Sequence, residues 1–179
     1  MENLNKSQLS VGVSKLREAK TDYDAIVAEE RSLTLNHFTA EDAFDIGCQL
    51  RNRLREISES PAIVNIALAN SQSVIFHAAS RSGVLPDNDT WVARKRNTVL
   101  RWGVSSWAMN NKYQGDEAGF AAKFTLGARA GEFAIHGGGF PVRVKGVEGV
   151  VAVIVVSGLK QNEDHQVVVE ALEKALESK

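Results

Sequence analysis

The residues best suited to chemistry fall in two stretches, Ala134-Ile-His-Gly-Gly-Gly-Phe-Pro-Val-Arg-Val144 and Val150-Val-Ala-Val-Ile-Val-Val-Ser-Gly-Leu-Lys-Gln-Asn-Glu-Asp-His165. In the first, Gly137, Gly138 and Gly139 follow His136. Such a run lets backbone donors approach a ligand and adopt conformations closed to other residues. A tight hairpin between strands would favour the same glycines, and both readings stand at this point. In the second, Ser157 and Gly158 end a hydrophobic strand just before a helix, where amides and a hydroxyl can meet an anion. Glu163 and Asp164 compete for that position, since they complement the same helix dipole. His165 precedes Val168 by three residues and Leu172 by seven, so its side chain is expected on the core side of the last helix. An imidazole near a helix start favours its neutral form, ready to take a proton or a metal, with Asp164 or Asp45 to orient it. The competing role is a structural hydrogen bond.

The remaining histidines are dispersed. His37, His77, His136 and His165 show no HExxH spacing, so a zinc site is not expected. Haem would need an axial ligand and an apolar cleft, which His136 or His165 with Trp102, Trp107 or Phe140 could supply. There is no CxxCH, and core packing competes for those aromatic rings. Arg94, Lys95, Arg96 and Arg101 concentrate positive charge on one helix. Arg94 and Arg101 share a face seven residues apart and suit a carboxylate or phosphate, against the alternative of a solvated face or intersubunit salt bridges. Trp91 and Trp102 belong to that helix's apolar stripe, so they are not free to stack nucleobases and nucleic acid is not an expected partner. Cys48 sits beside a core stripe and reads as an inert thiol.

These residues need elements to hold them. Leu9, Val13, Leu16, Tyr23 and Ile26 predict an amino-terminal helix over about 7–30, an accessory extension to a main domain over 31–179. Residues 32–38 read as a short strand or extended link. Thr39 caps a helix striped by Ala43, Gly47, Leu50, Leu54 and Ile57, with Glu41 and Asp42 in its first turn. Residues 62–69 and 72–78 form a β-hairpin through Asn70 and Ser71. Pro86 opens a helix with Trp91, Lys95, Thr98 and Trp102 on one face. Residues 105–124 are helical but broken at Gly115, where Asp116 and Glu117 start a second short helix. Residues 133–136, 140–145 and 150–156 are three further strand candidates, giving five in all, and a last helix starts near Asn162. The expected product is an α/β domain with a mainly antiparallel sheet packed by helices, in three α/β/α layers or a two-layer version.

Composition bounds the rest. The chain has 179 residues, 44% hydrophobic and 24% charged, which suits one globular core. Lys and Arg number 21 against 22 Asp and Glu, so no global field draws it to nucleic acid or acidic lipid. One cysteine excludes an intrachain disulfide and fits a reducing compartment, so the cytoplasm is the expected location. Residues 1–20 lack the apolar run of a signal peptide or membrane helix.

The glycine-rich strand pair, the Val-Ser-Gly strand end and the acidic helix start resemble the GlcG and HbpS family, whose members include haem-degrading-like and DUF336-related proteins. The chain looks closest to its UPF0303 branch of fungi and bacteria from about Phe38 onward, including Asp87-Asn-Asp-Thr-Trp-Val-Ala-Arg-Lys-Arg96. That resemblance implies a profilin-like sheet of five antiparallel strands, flanking helices, homo-oligomeric assembly and, for some members, haem binding or degradation. The combined expectation is a small-ligand site, for haem or a small anion, formed by Gly137, Gly138, Gly139, Ser157, Gly158, His165, Arg94 and Arg96. An enzyme would use His136 or His165 as general base, with Asp164 in support. An oligomeric interaction module is the third alternative.

Overall fold

The computed structural model describes residues 14–177. Helix α1, Tyr23–Ser32, starts where the Asp22 carboxylate accepts the Ala25 amide at 2.9 Å. The predicted longer helix does not extend upstream through the described residues. Positions 14–20 are not helical, and their backbone finds partners on other elements. Arg53 donates to the Ser14 carbonyl, the Arg17 amide donates to Glu170, and the Lys20 carbonyl accepts the Trp107 indole N–H. The part of that prediction over 1–13 lies outside the described residues.

Helix α2, Ala40–Ile57, opens with a reciprocal cap between Thr39 and Asp42 and buries Ala43, Gly47, Leu50 and Leu54 of the predicted stripe together with Ile46, while Ile57 is half-buried. Strands β1, Ile63–Leu68, and β2, Val74–Ala79, form the expected hairpin. Helix α3, Pro86–Trp102, ends on Gly103 in the left-handed conformation. Two short helices follow, α4 at Ser106–Lys112 and α5 at Glu117–Lys123, then a 3-10 helix, Gly127–Glu132. Strands β3, Gly139–Val142, and β4, Ala152–Ser157, precede the last helix, α6, Gln161–Glu177.

The described residues form one antiparallel sheet of four strands, in the order β2-β1-β4-β3, in place of the five expected. The missing strand is 133–136. Its backbone is served by α3: the Ala134 amide donates to the Arg94 carbonyl and to Thr98 Oγ1, and the Thr98 hydroxyl donates to the Ala134 carbonyl at 2.7 Å. An apolar extended segment whose polar groups are satisfied by a helix has no need of a neighbouring strand. The link after α1 makes a single parallel bridge, Leu35 to Val144, beyond the end of β3.

Alternation of side chains fixes the layers. Val64, Ile66, Phe140, Ile154 and Val156 share one core with α2 and α6, whereas Ile63, Val153 and Val155 pack on the opposite face against Val92 and Val99 of α3. The three-layer arrangement is therefore realised. Among the described residues no helix is long and apolar enough to cross a membrane.

Candidate functional site

The glycine turn lies where α3, the end of β4 and the start of α6 meet. Gly138 has φ +119°, and a Cβ there would stand 2.2 Å from the Val156 carbonyl oxygen; one on Gly137 would stand 2.2 Å from the Gln161 carbonyl oxygen. Glycine is required for close packing of backbone on backbone. The turn's polar groups are largely spoken for: Gly137 N donates to Gln161 Oε1 at 3.3 Å, Gly139 N donates to Ser106 Oγ at 2.9 Å, and Val156 N donates to the Gly138 carbonyl at 3.0 Å.

At the strand end, the position suited to a bound anion holds a carboxylate of the chain itself. Asp164 Oδ1 accepts Leu159 N at 2.9 Å and Oδ2 accepts Gly158 N at 3.3 Å. Lys95 Nζ completes the arrangement, 3.0 Å from Asp164 Oδ2 and 3.1 Å from the Val156 carbonyl oxygen, with both side chains almost fully buried. Burial pushes the Asp164 carboxyl up, and Lys95 with the two amides opposes that shift. Ser157 is buried beside this pair and Gly158 is exposed. Lys95 was not among the expected site residues. Its signal was its place on the inward stripe of α3, since a lysine there requires a buried acceptor.

His165 is enclosed, as its spacing predicts, with 0% exposure. Its ring lies between Trp107 and Phe140, at centroid distances of 6.2 and 5.6 Å. Neither ring nitrogen has a hydrogen-bond partner among the described residues, and burial pushes its pKa down to about 3. The imidazole is neutral, but the expected orienting carboxylate is not there: Asp164 is turned to Lys95, and Asp45 lies on the exposed side of α2.

His136 is the accessible histidine of the group. It projects from the beginning of the turn and is half-buried, with Nδ1 3.2 Å from Glu117 Oε1. That distance makes an ion pair only when the imidazole is protonated, and the direction is off the line of a hydrogen bond. Its ring meets Trp91 edge-on at 4.8 Å, and the Arg94 guanidinium covers Trp91 at 4.5 Å. Arg94 also donates to the Phe133 carbonyl at 3.0 and 3.2 Å and lies 3.7 Å from Glu117 Oε2. Burial lowers the His136 pKa, Glu117 opposes this, and Lys95 and Arg94 reinforce it. Arg94 and Glu117, but not His136 or Trp91, line a neighbouring cavity of about 320 Å³ with Phe120, Phe133 and Ile135 among others. Glu117 and Trp91 complete this cluster. Their types suggested a helix start and a core stripe, and no short-range pattern linked them to His136.

The structure separates the two arginines placed together by sequence. Arg96 turns toward the sheet, where Nη1 donates to Asn65 Oδ1 at 3.2 Å; the Asn65 amide nitrogen is 3.1 Å from His77 Nδ1, and His77 Nε2 is 3.4 Å from Asp89. Helical positions two apart do not face each other.

Residues 38–173 match the family model described as "Haem degrading protein HbpS-like". A UPF0303 protein of Streptomyces coelicolor is 44% identical over 82% of this chain and 88% of its own length. The UPF0303 protein YBR137W of Saccharomyces cerevisiae is 34% identical over 89% of this chain and 87% of its own. The Ybr137w crystal structure has a TM-score of 0.82, covering 89% of this chain and 90% of that one. The structure of a PduOC–haem complex is similar in fold alone, at TM-score 0.61 and 16% identity over 76% of this chain and 93% of that one. A match over most of the chain, together with relatives at this identity, makes the chain a member of the HbpS-like family, alongside the UPF0303 proteins.

Proposed function

We propose that this protein binds a small ligand bearing a carboxylate at the cluster of Trp91, Arg94, Glu117 and His136, and that haem is the first ligand to test. The observation behind this reading is a half-exposed imidazole held 3.2 Å from Glu117, which with Arg94 lines a neighbouring, largely apolar cavity. The haem-degrading description of the family model and the haem complex of a fold neighbour support haem. Of the two histidines that could ligate its iron, His136 fits, whereas His165 is sealed between Trp107 and Phe140. Bound iron would supply redox chemistry; the chain's part is to present the His136 imidazole and to offer Arg94 to a propionate. Gly137, Gly138, Gly139, Ser157, Gly158 and Asp164 then serve as the frame that holds His136 in place.

At about 320 Å³ the cavity is at the small end of ligand sites, which run from about 300 to 1,000 Å³. A haem would be gripped at one edge, so this reading includes a second copy of the chain, in a cytoplasmic homo-oligomer, to close over the rest. Titration of the purified chain with haem, followed by its visible absorption band, tests the proposal. A saturable shifted band is expected for the native chain and for His165→Leu, with loss in His136→Ala. A band indifferent to His136 would remove the assignment.

A second reading rests on the same imidazole, unprotonated at neutral pH because burial lowers its pKa: His136 acts as a general base, steadied by Glu117. His136→Gln would then abolish turnover of the substrate while leaving its binding in place.

A further inference from the structure

The carboxyl end of α3, the β1–β2 turn and the β3–β4 loop border an open cleft of about 600 Å³, lined by residues that include Gln72, Leu100, Arg101, Trp102, Arg143 and Val150. No Asp or Glu lines it. Neither Arg101 nor Arg143 forms an ion pair among the described residues. The acids that act on them are engaged elsewhere. Glu132, near Arg101, is held by the Arg129 guanidinium at 2.8 and 3.1 Å, and Glu30, near Arg143, accepts the Ser105 amide with both oxygens.

The two guanidiniums are positioned without an acid. Arg101 lies over the rings of Trp102 and Phe133 at 4.8 and 5.1 Å. Arg143 donates through Nη2 to the Gly103 carbonyl that terminates α3, which leaves Nε and Nη1 for another acceptor. Arg31 adds a further positive charge near Arg143. A second concavity of about 400 Å³ shares Gln72, Leu100 and Arg101 and extends the furrow toward Arg129, where Glu132, paired with Arg129, also lines it.

We propose that this furrow is an anion-binding site, separate from the His136 cluster, which takes a small organic phosphomonoester. Two forked donors approaching from different elements call for an acceptor with oxygens in more than one direction. A tetrahedral dianion presents three, whereas a carboxylate presents two in one plane and is satisfied by a single fork. The cleft is larger than a phosphate ion needs, and Leu100, Trp102 and Val150 provide apolar contact for an organic remainder. The competing role for these arginines is to complement the negative end of α3. That role uses one donor of Arg143, and it predicts no ligand.

The test is a titration of the full chain with inorganic phosphate, adenosine 5′-monophosphate and adenosine, following the backbone amide resonances of Gln72, Gly103 and Gly149. Saturable shifts at these amides are expected with phosphate and more tightly with the monophosphate, and none with adenosine. Because Arg143 caps a helix, the variant to use is Arg101→Ala, at an exposed position. It should weaken binding about tenfold, as loss of a charge-assisted hydrogen bond does. His136→Ala should leave it unchanged. Absence of saturable shifts, an equal response to adenosine, or affinity untouched by Arg101→Ala would each overturn the proposal.

Discussion

Glu30 and His165 are both buried and ionisable, and they act on stability in opposite directions. Glu30, at 3% exposure, accepts the Ser105 amide at the start of α4 and has its pKa pushed up to about 7 from 4.5, mainly by burial. A raised carboxyl pKa means the fold prefers the protonated form. That contribution is complete below pH 4.5 and is lost as pH rises through about 7. Glu30→Gln should flatten this decline, worth on the order of 3 kcal/mol, when urea unfolding is compared at pH 5 and pH 8. His165 has its pKa pushed down to about 3 from 6.5, so its contribution is complete above pH 6.5 and is lost as pH falls toward 3. His165→Leu should reduce the loss of stability between pH 6.5 and 4; an unchanged slope would mean the imidazole titrates normally. The inward direction of His165 was readable from its spacing to Val168 and Leu172. The lack of a partner for its nitrogens was not, because that depends on which side chains surround the ring.

At the scale of elements, α3 is the organising helix. Its stripe of Trp91, Lys95, Thr98 and Trp102 was visible as a repeat, and its members hold the 133–136 segment, α5 and α6. Trp91 meets His136, Lys95 meets Asp164, Thr98 holds Ala134, and Trp102 packs on Phe120, Phe124 and Phe133. The Lys95–Asp164 pair ties α3 to α6 across the glycine turn. Lys95→Met would leave a buried carboxylate without its cation, and a loss of about 3–5 kcal/mol is expected. Adding Asp164→Asn should recover part of it, and a double-mutant cycle by chemical denaturation measures the coupling. Equal stability of Lys95→Met and the native chain would show that the pair is dispensable. The misread element, 133–136, shows the limit of pattern: Phe133 and Ile135 alternate as in a strand, yet Thr98 supplied the polar partner that decided the matter.

Across the whole molecule, the amino-terminal region is joined to the rest by polar and apolar contacts. Ile26 packs with Trp107 and Ala108, Glu30 accepts from Ser105, and Lys20 O accepts from Trp107. Removal of residues 1–32 should expose that apolar cluster, leave the Ser105 amide and the Trp107 indole N–H without these acceptors, and lower the thermal midpoint by several degrees or more. An unchanged midpoint would make this region an independent appendage.

By itself the sequence determined most of the amphipathic helices, the hairpin, Thr39 as a helix cap and the family, because each is written in residues close together along the chain. Only the tertiary structure decided which charges and rings meet. Lys95 and Asp164 are 69 residues apart and Glu30 and Ser105 are 75 apart, and nothing local selects one partner over another at such separations. The strand count, the division of Arg94 from Arg96, and the choice of His136 over His165 as the accessible imidazole follow from the same cause. Each depends on which surfaces the chain brings together, and burial then determines the protonation and reach of every group on them.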